Sequence, residues 1–198
     1  EIGSWYNGYR FHYGGETVYN PVSVGKFFEN KGEFKNYWFE TGNPRFLLDV
    51  IKKNRYNISS IENLQLTALG FSAYEFDDIS VEPLLYQTGY ITIKDYDPDS
   101  RLYTLGYPNK EVYEAFLQYL AGSFTPISKE KAPASAYRLV KFLKSVDIDN
   151  FFKELQVFFA GIDYDLQINN EKYYQTIFYV VFRLMGLHID AEEKTNSG

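Results

Sequence analysis

A polar turn between two β-rich runs constrains the fold of this chain more than any other feature. Tyr90–Ile93 and Leu102–Leu105 contain the β-branched and aromatic residues that favour strands, and Asp95–Arg101 between them contains three Asp, one Pro and one Ser. This pattern predicts a β-hairpin. Because helix signals precede and follow it, the sequence predicts an α+β chain that is mainly helical.

Asn-Pro pairs and a capping box mark the predicted helix starts. Asn20-Pro21 and Asn43-Pro44 each place an N-cap residue before a Pro at the first helical position. Ser59–Glu62 is a capping box, and it predicts a short helix over Leu64–Leu69.

Further helices are expected near residues 82–87 and 109–120, on either side of the hairpin. Helix, helix, hairpin and helix is the outline of a winged-helix-like module, here over about residues 59–121. Residues 122–160 are predicted to be a helical linker, because Gly122–Pro133 contains two Pro and two Ser and is followed by two amphipathic helices.

The last segment, residues 161–198, is expected to begin a further domain. Asn169 or Asn170 caps a long helix, and Leu187–Glu192 alternates apolar and polar residues as a half-buried strand does. Thr195–Gly198 has the composition of a hairpin turn with no returning strand after it. We therefore expect the chain to be a piece of a longer protein, with contacts to segments outside it.

Composition excludes several kinds of site. The chain has no Cys and two His, so disulfides and thiolate metal sites are excluded, and no metal site is expected within it. It contains no phosphate-binding loop, and no apolar run approaches the roughly 20 residues of a membrane span. A net charge of −6 disfavours a surface that coats nucleic acid generally. The lack of Cys fits a reducing, cytoplasmic environment.

Aromatic residues are abundant, with 19 Tyr and 17 Phe. They predict a core dominated by rings whose hydroxyl groups need partners. Phe152 and Phe178 are expected on the buried faces of their helices. The alternative is a platform on which nucleic-acid bases stack.

Two sets of charged residues are candidates for function. Arg138, Lys141 and Lys144 recur at a spacing of three in residues 129–144, a stretch with five cations and one anion. They are candidate nucleic-acid-binding residues that contact phosphate, and an ordinary solvated helix face is the alternative. Glu171 lies in the first turn of the last helix, where the simplest interpretation is a carboxylate that faces the helix dipole.

Two groups of strings in this chain resemble segments of a known family. The first group is Trp5–Phe11, Val18–Pro21, Leu84–Ile93 and Tyr103–Asn109, and the second is Tyr164–Leu166, Asn170–Gln175 and Asp190–Glu192. With them, over nearly its whole length, the chain resembles predicted AAA-ATPase-like proteins of Bacteroidetes that carry a C-terminal PD-(D/E)XK nuclease domain. The first group is similar to the ATPase-like region and the second to the start of the nuclease fold. Asn7 departs from the family, which more often has Asp there.

The resemblance implies roles for this chain and for segments outside it. Residues 1–121 would be the C-terminal part of the ATPase-like region, and residues 161–198 the first helix and strand of the nuclease fold. Glu171 matches the helix glutamate that supports metal binding at the catalytic site of such nucleases. The nucleotide-binding core and the remaining catalytic residues would lie outside the chain. ATP and Mg²⁺ are therefore implied for the longer protein, and no cofactor for this chain.

We thus expect a catalytically inactive segment of an ATP-dependent nuclease-like protein, which couples the ATPase-like region to the nuclease domain. Two alternatives stay open. One is a DNA-binding module that uses the winged-helix-like part or Arg138, Lys141 and Lys144. The other is a protein-interaction scaffold whose exposed rings mediate self-association. DNA and a second copy of the chain are the candidate partners, and no membrane association is expected.

Overall fold

A computed structural model describes residues 1–40, 44–72, 80–160 and 171–188 of the 198-residue chain. The chain divides into two compact units. The first unit consists of the described residues within 1–56 and 60–116. The second contains residues 57–59 and the described residues from Leu117 onward.

The first unit contains several short helices, one of which begins at the predicted cap Asn20. Its α-helices are α1 (Ile2–Tyr6), α2 (Pro21–Glu29), α3 (Arg45–Lys53), α4 (Ala68–Ser72) and α5 (Val81–Gln87), and the boundary between the units falls within α6 (Lys110–Phe124). Two 3₁₀ helices span Trp38–Glu40 and Ile58–Asn63. The predicted cap Asn20 is confirmed, because its Oδ1 accepts hydrogen bonds from the backbone N–H groups of Val22 at 3.0 Å and Ser23 at 3.3 Å. The other predicted cap, Asn43, lies outside the described residues.

Two antiparallel sheets belong to the first unit. In the smaller one, β1 (Asn7–Tyr9) pairs with β2 (Val18–Tyr19). The larger one has the strand order β3 (Leu64–Leu66), β5 (Leu102–Gly106), β4 (Thr92–Asp97). The predicted hairpin is confirmed as β4 and β5, and the chain is α+β and mainly helical, as expected.

The helix predicted over Leu64–Leu69 is wrong in its first half. Leu64–Leu66 forms β3 instead, because it pairs with Tyr103–Leu105 of β5. The helix begins only at Ala68. Ser59, the predicted cap, is a donor here, and Asn57 is the acceptor. The N–H and the hydroxyl of Ser59 donate to Oδ1 of Asn57 at 3.2 and 2.8 Å.

Aromatic rings form much of the core of the first unit, as the composition predicts. The buried cluster consists of Tyr6, Phe27 and Tyr37, and Trp5 and Phe34 pack against it. Two of its hydroxyl groups have partners. Tyr6 donates to the carbonyl of Lys35 at 3.1 Å, and Tyr37 donates to that of Glu33 at 2.7 Å. These rings therefore bury apolar area without leaving a polar group unsatisfied.

Three helices pack together in the second unit: α7 (Ala132–Lys144), α8 (Ile148–Phe159) and α9 (Glu171–Leu184). Leu139, Phe158 and Val180, one from each helix, are fully buried. The expected burial of Phe152 and Phe178 is wrong, because these side chains are 55% and 43% exposed. Each comes directly after a buried residue, Phe151 or Ile177. Successive side chains on a helix point about 100° apart, so Phe152 and Phe178 lie outside the buried faces.

Several predictions fall outside the described residues. They concern the caps Asn169 and Asn170, the strand and turn over 189–198, and the strings Tyr164–Leu166 and Asp190–Glu192.

Hydrogen bonds close the C-terminus of α7 in a Schellman motif. The N–H of Val146 donates to the carbonyl of Leu143 at 3.1 Å, and that of Asp147 donates to the carbonyl of Phe142 at 2.9 Å. Val146 therefore adopts a φ of 58°, which is strained for a residue with a branched Cβ. Gly89 occupies the same position after α5, where its φ of 80° costs little.

Candidate functional site

An aromatic pocket of about 390 Å³ lies within the first unit. Its rings come from separate segments of the chain: Tyr9, Phe11, Tyr19, Trp38 and Tyr86. No charged side chain is present among the described residues that line it. Its volume falls within the range of about 300–1,000 Å³ that is typical of ligand pockets.

The end of α5 lies against two of these rings. A Cβ placed on Gly89 would be 3.5 Å from Cζ2 of Trp38 and 3.6 Å from Cε1 of Tyr9. Gly89 also needs its positive φ to close the helix. Any side chain at this position would therefore be strained and would contact both rings.

Close contacts of the residues before and after Tyr9 fix the position of its strand. Gly8 has a φ of 128°, and a Cβ on it would lie 1.9 Å from the carbonyl oxygen of Pro108, so a larger residue does not fit. The N–H of Arg10 donates to Oγ1 of Thr92 at 2.7 Å, and that hydroxyl donates to the carbonyl of Arg10 at 2.9 Å. These contacts hold the segment of Tyr9 and Phe11 beside β4.

A buried carboxylate connects three of the elements around the pocket. Glu111, in the first turn of α6, has no exposed surface. Its Oε2 accepts from the hydroxyl of Ser23 in α2, and its Oε1 accepts from the backbone N–H of Trp38, each at 2.9 Å. The positive end of the helix dipole further favours a carboxylate at this point. Glu111 thus positions Trp38 through its backbone.

The hydroxyl group of Tyr9 is buried, and the negative charge of Glu111 acts on it. No described group meets hydrogen-bond geometry with it. Burial is the main cause that raises the pKa of Tyr9 above its ordinary value, and the negative charge of Glu111 raises it further. Asn20 lies close enough to lower the pKa slightly, which offsets part of this rise. The negative field of Glu111 therefore reaches a ring that lines the pocket.

Most of the pocket comes from the strings that carry the family resemblance. All of its lining residues except Trp38 lie within Trp5–Phe11, Val18–Pro21 or Leu84–Ile93. The departing residue Asn7 accepts a hydrogen bond from the N–H of Gly8 at 2.7 Å. The sequence patterns marked these strings, but they did not indicate that the strings form a pocket.

The three candidate nucleic-acid-binding residues of α7 differ in their contacts and in their exposure. Arg138 donates to Oε1 of Glu154 in α8 at 2.6 Å and to Oγ of Ser135 at 2.8 Å. The hydrogen bond with Glu154 is the main cause that raises the pKa of Arg138. Lys141 and Lys144 are exposed in the last turn of the same helix. Arg138 therefore links two helices, and the other two cations face solvent.

Glu171 is the first residue of α9 and is exposed, in the helix-start position expected from the sequence. The ten residues before it are outside the described ranges. Within the part of the chain that the structure describes, no three His, Cys, Asp or Glu side chains gather closely enough to hold a metal ion.

No helix in the described ranges combines the length and the apolar character that crossing a membrane requires.

Comparisons with known proteins identify a longer relative. The chain is 38% identical over 209 aligned positions to a protein of Azotobacter chroococcum mcd 1 described as an "uncharacterized protein in vnfD 5'region". The alignment includes 100% of this chain and 39% of that protein, so the chain spans well under half the length of the relative. No family model matches the chain, and no solved structure matches it.

Proposed function

We propose that this chain is a non-catalytic coupling module of a longer, ATP-dependent nuclease-like protein, and that its winged-helix-like part contacts protein instead of DNA. The observation that carries the choice of protein over DNA is the combination of a winged-helix strand order with negative charge on the elements that would face DNA. The Azotobacter relative, which extends well beyond the aligned region, supports a place within a longer polypeptide.

The order of elements in the first unit agrees with a winged helix. In that fold, a strand between the first two helices pairs with the second strand of the hairpin, which gives a three-stranded sheet. Here β3 lies between α3 and α4 in the chain and pairs with β5, the second strand of the hairpin. Helix α5 precedes the hairpin and contacts both α3 and α4. This arrangement favours a winged-helix module whose first helix is α3, so that the module begins at Arg45 and not near residue 59.

The charges on these elements disfavour DNA. In helix-turn-helix proteins the helix corresponding to α5 enters the major groove, and contacts with phosphates fix the register. Helix α5 contains Glu82 and no Lys or Arg, and most of its apolar residues are buried. Asp95, Asp97 and Asp99 lie at or near the tip of the hairpin. Hydrogen bonds from Ser100 and Asp99 lower the pKa of Asp97, so this carboxyl stays charged. With Lys94 and Arg101 included, the hairpin has a net charge of −1, so it lacks the positive charge that phosphate contacts need and suits a protein partner.

The coupling role rests on the family resemblance together with Glu171. In the proposed longer protein, α9 is the first helix of the nuclease domain, and Glu171 supports metal binding there. ATP and Mg²⁺ bind in segments outside this chain. DNA is then a substrate of the longer protein, and the first unit contacts the ATPase-like core or a second copy of the protein.

A binding experiment tests the choice between protein and DNA contact. We expect no binding of a labelled 20-base-pair duplex by the chain in fluorescence anisotropy at 50 mM salt. Changing Asp95, Asp97 and Asp99 to Lys should create salt-dependent binding, because the hairpin would then have the charge of a DNA-contacting wing. Changing Glu29, Glu33 and Asp49 to Lys, outside the hairpin, is the control, because it alters the net charge by the same amount. Tight binding by the unchanged protein, lost when Lys141 and Lys144 become Ala, would favour the DNA-binding alternative.

A second experiment tests the coupling role. The gene around this segment should encode a phosphate-binding loop upstream and an Asp followed by Glu-x-Lys downstream. In the purified longer protein, Glu171→Gln should abolish Mg²⁺-dependent cleavage of DNA and leave hydrolysis of ATP intact, because only the metal site of the nuclease domain loses a carboxylate. If both motifs are missing, the coupling proposal fails.

A further inference from the structure

We propose that the aromatic pocket of the first unit binds the guanidinium group of an arginine side chain that an extended segment of a partner protein presents. This inference goes beyond the coupling role, because it rests on the rings, the charges and the shape of the pocket alone.

The lining of the pocket suits an organic cation. The face of an aromatic ring carries partial negative charge, and a cation within about 6 Å of its centre is attracted to it. Five rings line the pocket and no cationic side chain is among the described lining residues, so no described group of the protein competes for this position. The ring of Tyr9 also lies in the field of the Glu111 carboxylate, which favours positive charge nearby.

The charge of the whole unit agrees with a cationic partner. The sequence ranges of the first unit contain sixteen acidic and eleven basic residues, a net charge of −5. The net charge of the full chain is −6, so nearly all of the excess negative charge belongs to the unit with the pocket. A field of this sign raises the local concentration of cationic segments and accelerates their association.

Guanidinium fits the pocket better than ammonium does. It is planar, more weakly hydrated and stacks on aromatic rings, whereas the ammonium of lysine is a compact and strongly hydrated charge. A volume of about 390 Å³ exceeds what an ammonium group needs. The lining also includes Gln87, whose side-chain carbonyl is a neutral acceptor for guanidinium N–H groups.

The mouth of the pocket indicates a segment of protein as the source of the cation. Three apolar side chains at the pocket are exposed to solvent: Phe11 is 76% exposed, Tyr19 46% and Val18 44%. Residues on either side of an inserted arginine would cover these side chains, which a free small cation would leave in water. Exposed rings around a polar anchor site are typical of surfaces that bind peptides.

Trp38 provides a direct signal for the test. The chain has two Trp, so a Trp5→Phe variant retains Trp38 as its single Trp, in the wall of the pocket. The probe is the peptide acetyl-Gly-Val-Arg-Val-Gly-amide, titrated at constant ionic strength. The matched probe has citrulline in place of arginine, which keeps the shape of the side chain and removes its charge. Tetramethylammonium chloride is the probe for a free small cation.

We expect a saturable change in Trp38 fluorescence with the arginine peptide and at least tenfold weaker binding of the citrulline peptide. Tyr19→Leu and Tyr86→Leu should each weaken binding severalfold, since both remove a ring from the pocket. Tyr13→Leu is the control, because Tyr13 is exposed but does not line the pocket.

Three results would overturn the proposal. Equal binding of the arginine and citrulline peptides would show a groove that recognises apolar surface only. Binding of tetramethylammonium without binding of the peptide would assign the pocket to a small cation. No response of Trp38 to any probe, in a variant whose circular dichroism matches that of the wild type, would exclude a cation site.

Discussion

Removing the carboxylate of Glu111 should destabilise the first unit more than any other change of a single acidic residue in its described part. Glu111 is fully buried and accepts one hydrogen bond on each oxygen, from Ser23 and from the backbone of Trp38. Hydrogen bonds to a charged group contribute about 1.5–3 kcal/mol each, so Glu111→Ala should lower the free energy of unfolding by about 3–6 kcal/mol. This is a large part of the roughly 5–15 kcal/mol that stabilises a typical domain.

Urea unfolding followed by tryptophan fluorescence measures this effect, because Trp5 and Trp38 both belong to the first unit. Glu114→Ala, on the same helix, is the matched control. Glu114 forms an exposed ion pair with Lys110 at 3.4 Å, and pairs of this kind contribute about 0–1 kcal/mol. If Glu111→Ala fails to fold, Glu111→Gln should still fold, since its amide can accept from Trp38 and donate to Ser23. A cost below about 1 kcal/mol for Glu111→Ala would refute the reasoning.

Three further changes follow from the geometry. Val146→Gly should raise the midpoint of thermal unfolding by about 2–4 °C, because it relieves roughly 1 kcal/mol of strain at the end of α7, and Val157→Gly within α8 should lower it. The free energy of unfolding should fall as the pH rises above 10, because the raised pKa of Tyr9 keeps its proton in the folded state while the unfolded state loses it. In Tyr9→Phe, the urea concentration at the midpoint of unfolding should therefore depend less steeply on pH between pH 9 and 11. Arg138→Ala should cost up to about 1 kcal/mol through the lost bond to Glu154, and an effect on thermal unfolding above about 2 kcal/mol would contradict a partly exposed ion pair.

Local chemistry explains why several elements could be predicted from the sequence. The cap Asn20 and the hairpin of β4 and β5 depend on neighbouring residues, and both are present. Strand β3 was missed because its three residues are too few to distinguish a strand from a helix by period. The exposure of Phe152 and Phe178 depends on where each helix meets its neighbours, which the pattern of one helix does not contain.

The candidate site could not be predicted, because its parts are far apart in the chain. Glu111 and Glu171 have the same local signature, a carboxylate in the first turn of a helix. Only the partners of Glu111 distinguish it: Ser23 lies 88 residues away and Trp38 lies 73 residues away. The pocket likewise requires four segments to meet, and each segment alone contributes only one or two aromatic rings.

The hydrogen bonds between Arg10 and Thr92 have a consequence for self-association. Strand β4 lies at the edge of its sheet, and an open edge is a template for pairing with another chain. The Arg10 backbone bonds to the side chain of Thr92, so the N-terminal segment lies beside this edge without extending the sheet. A chain that starts after Arg10 would lose this cover and should form intermolecular β-structure on concentration. We therefore expect the first ten residues to limit aggregation, in addition to contributing Tyr9 to the pocket.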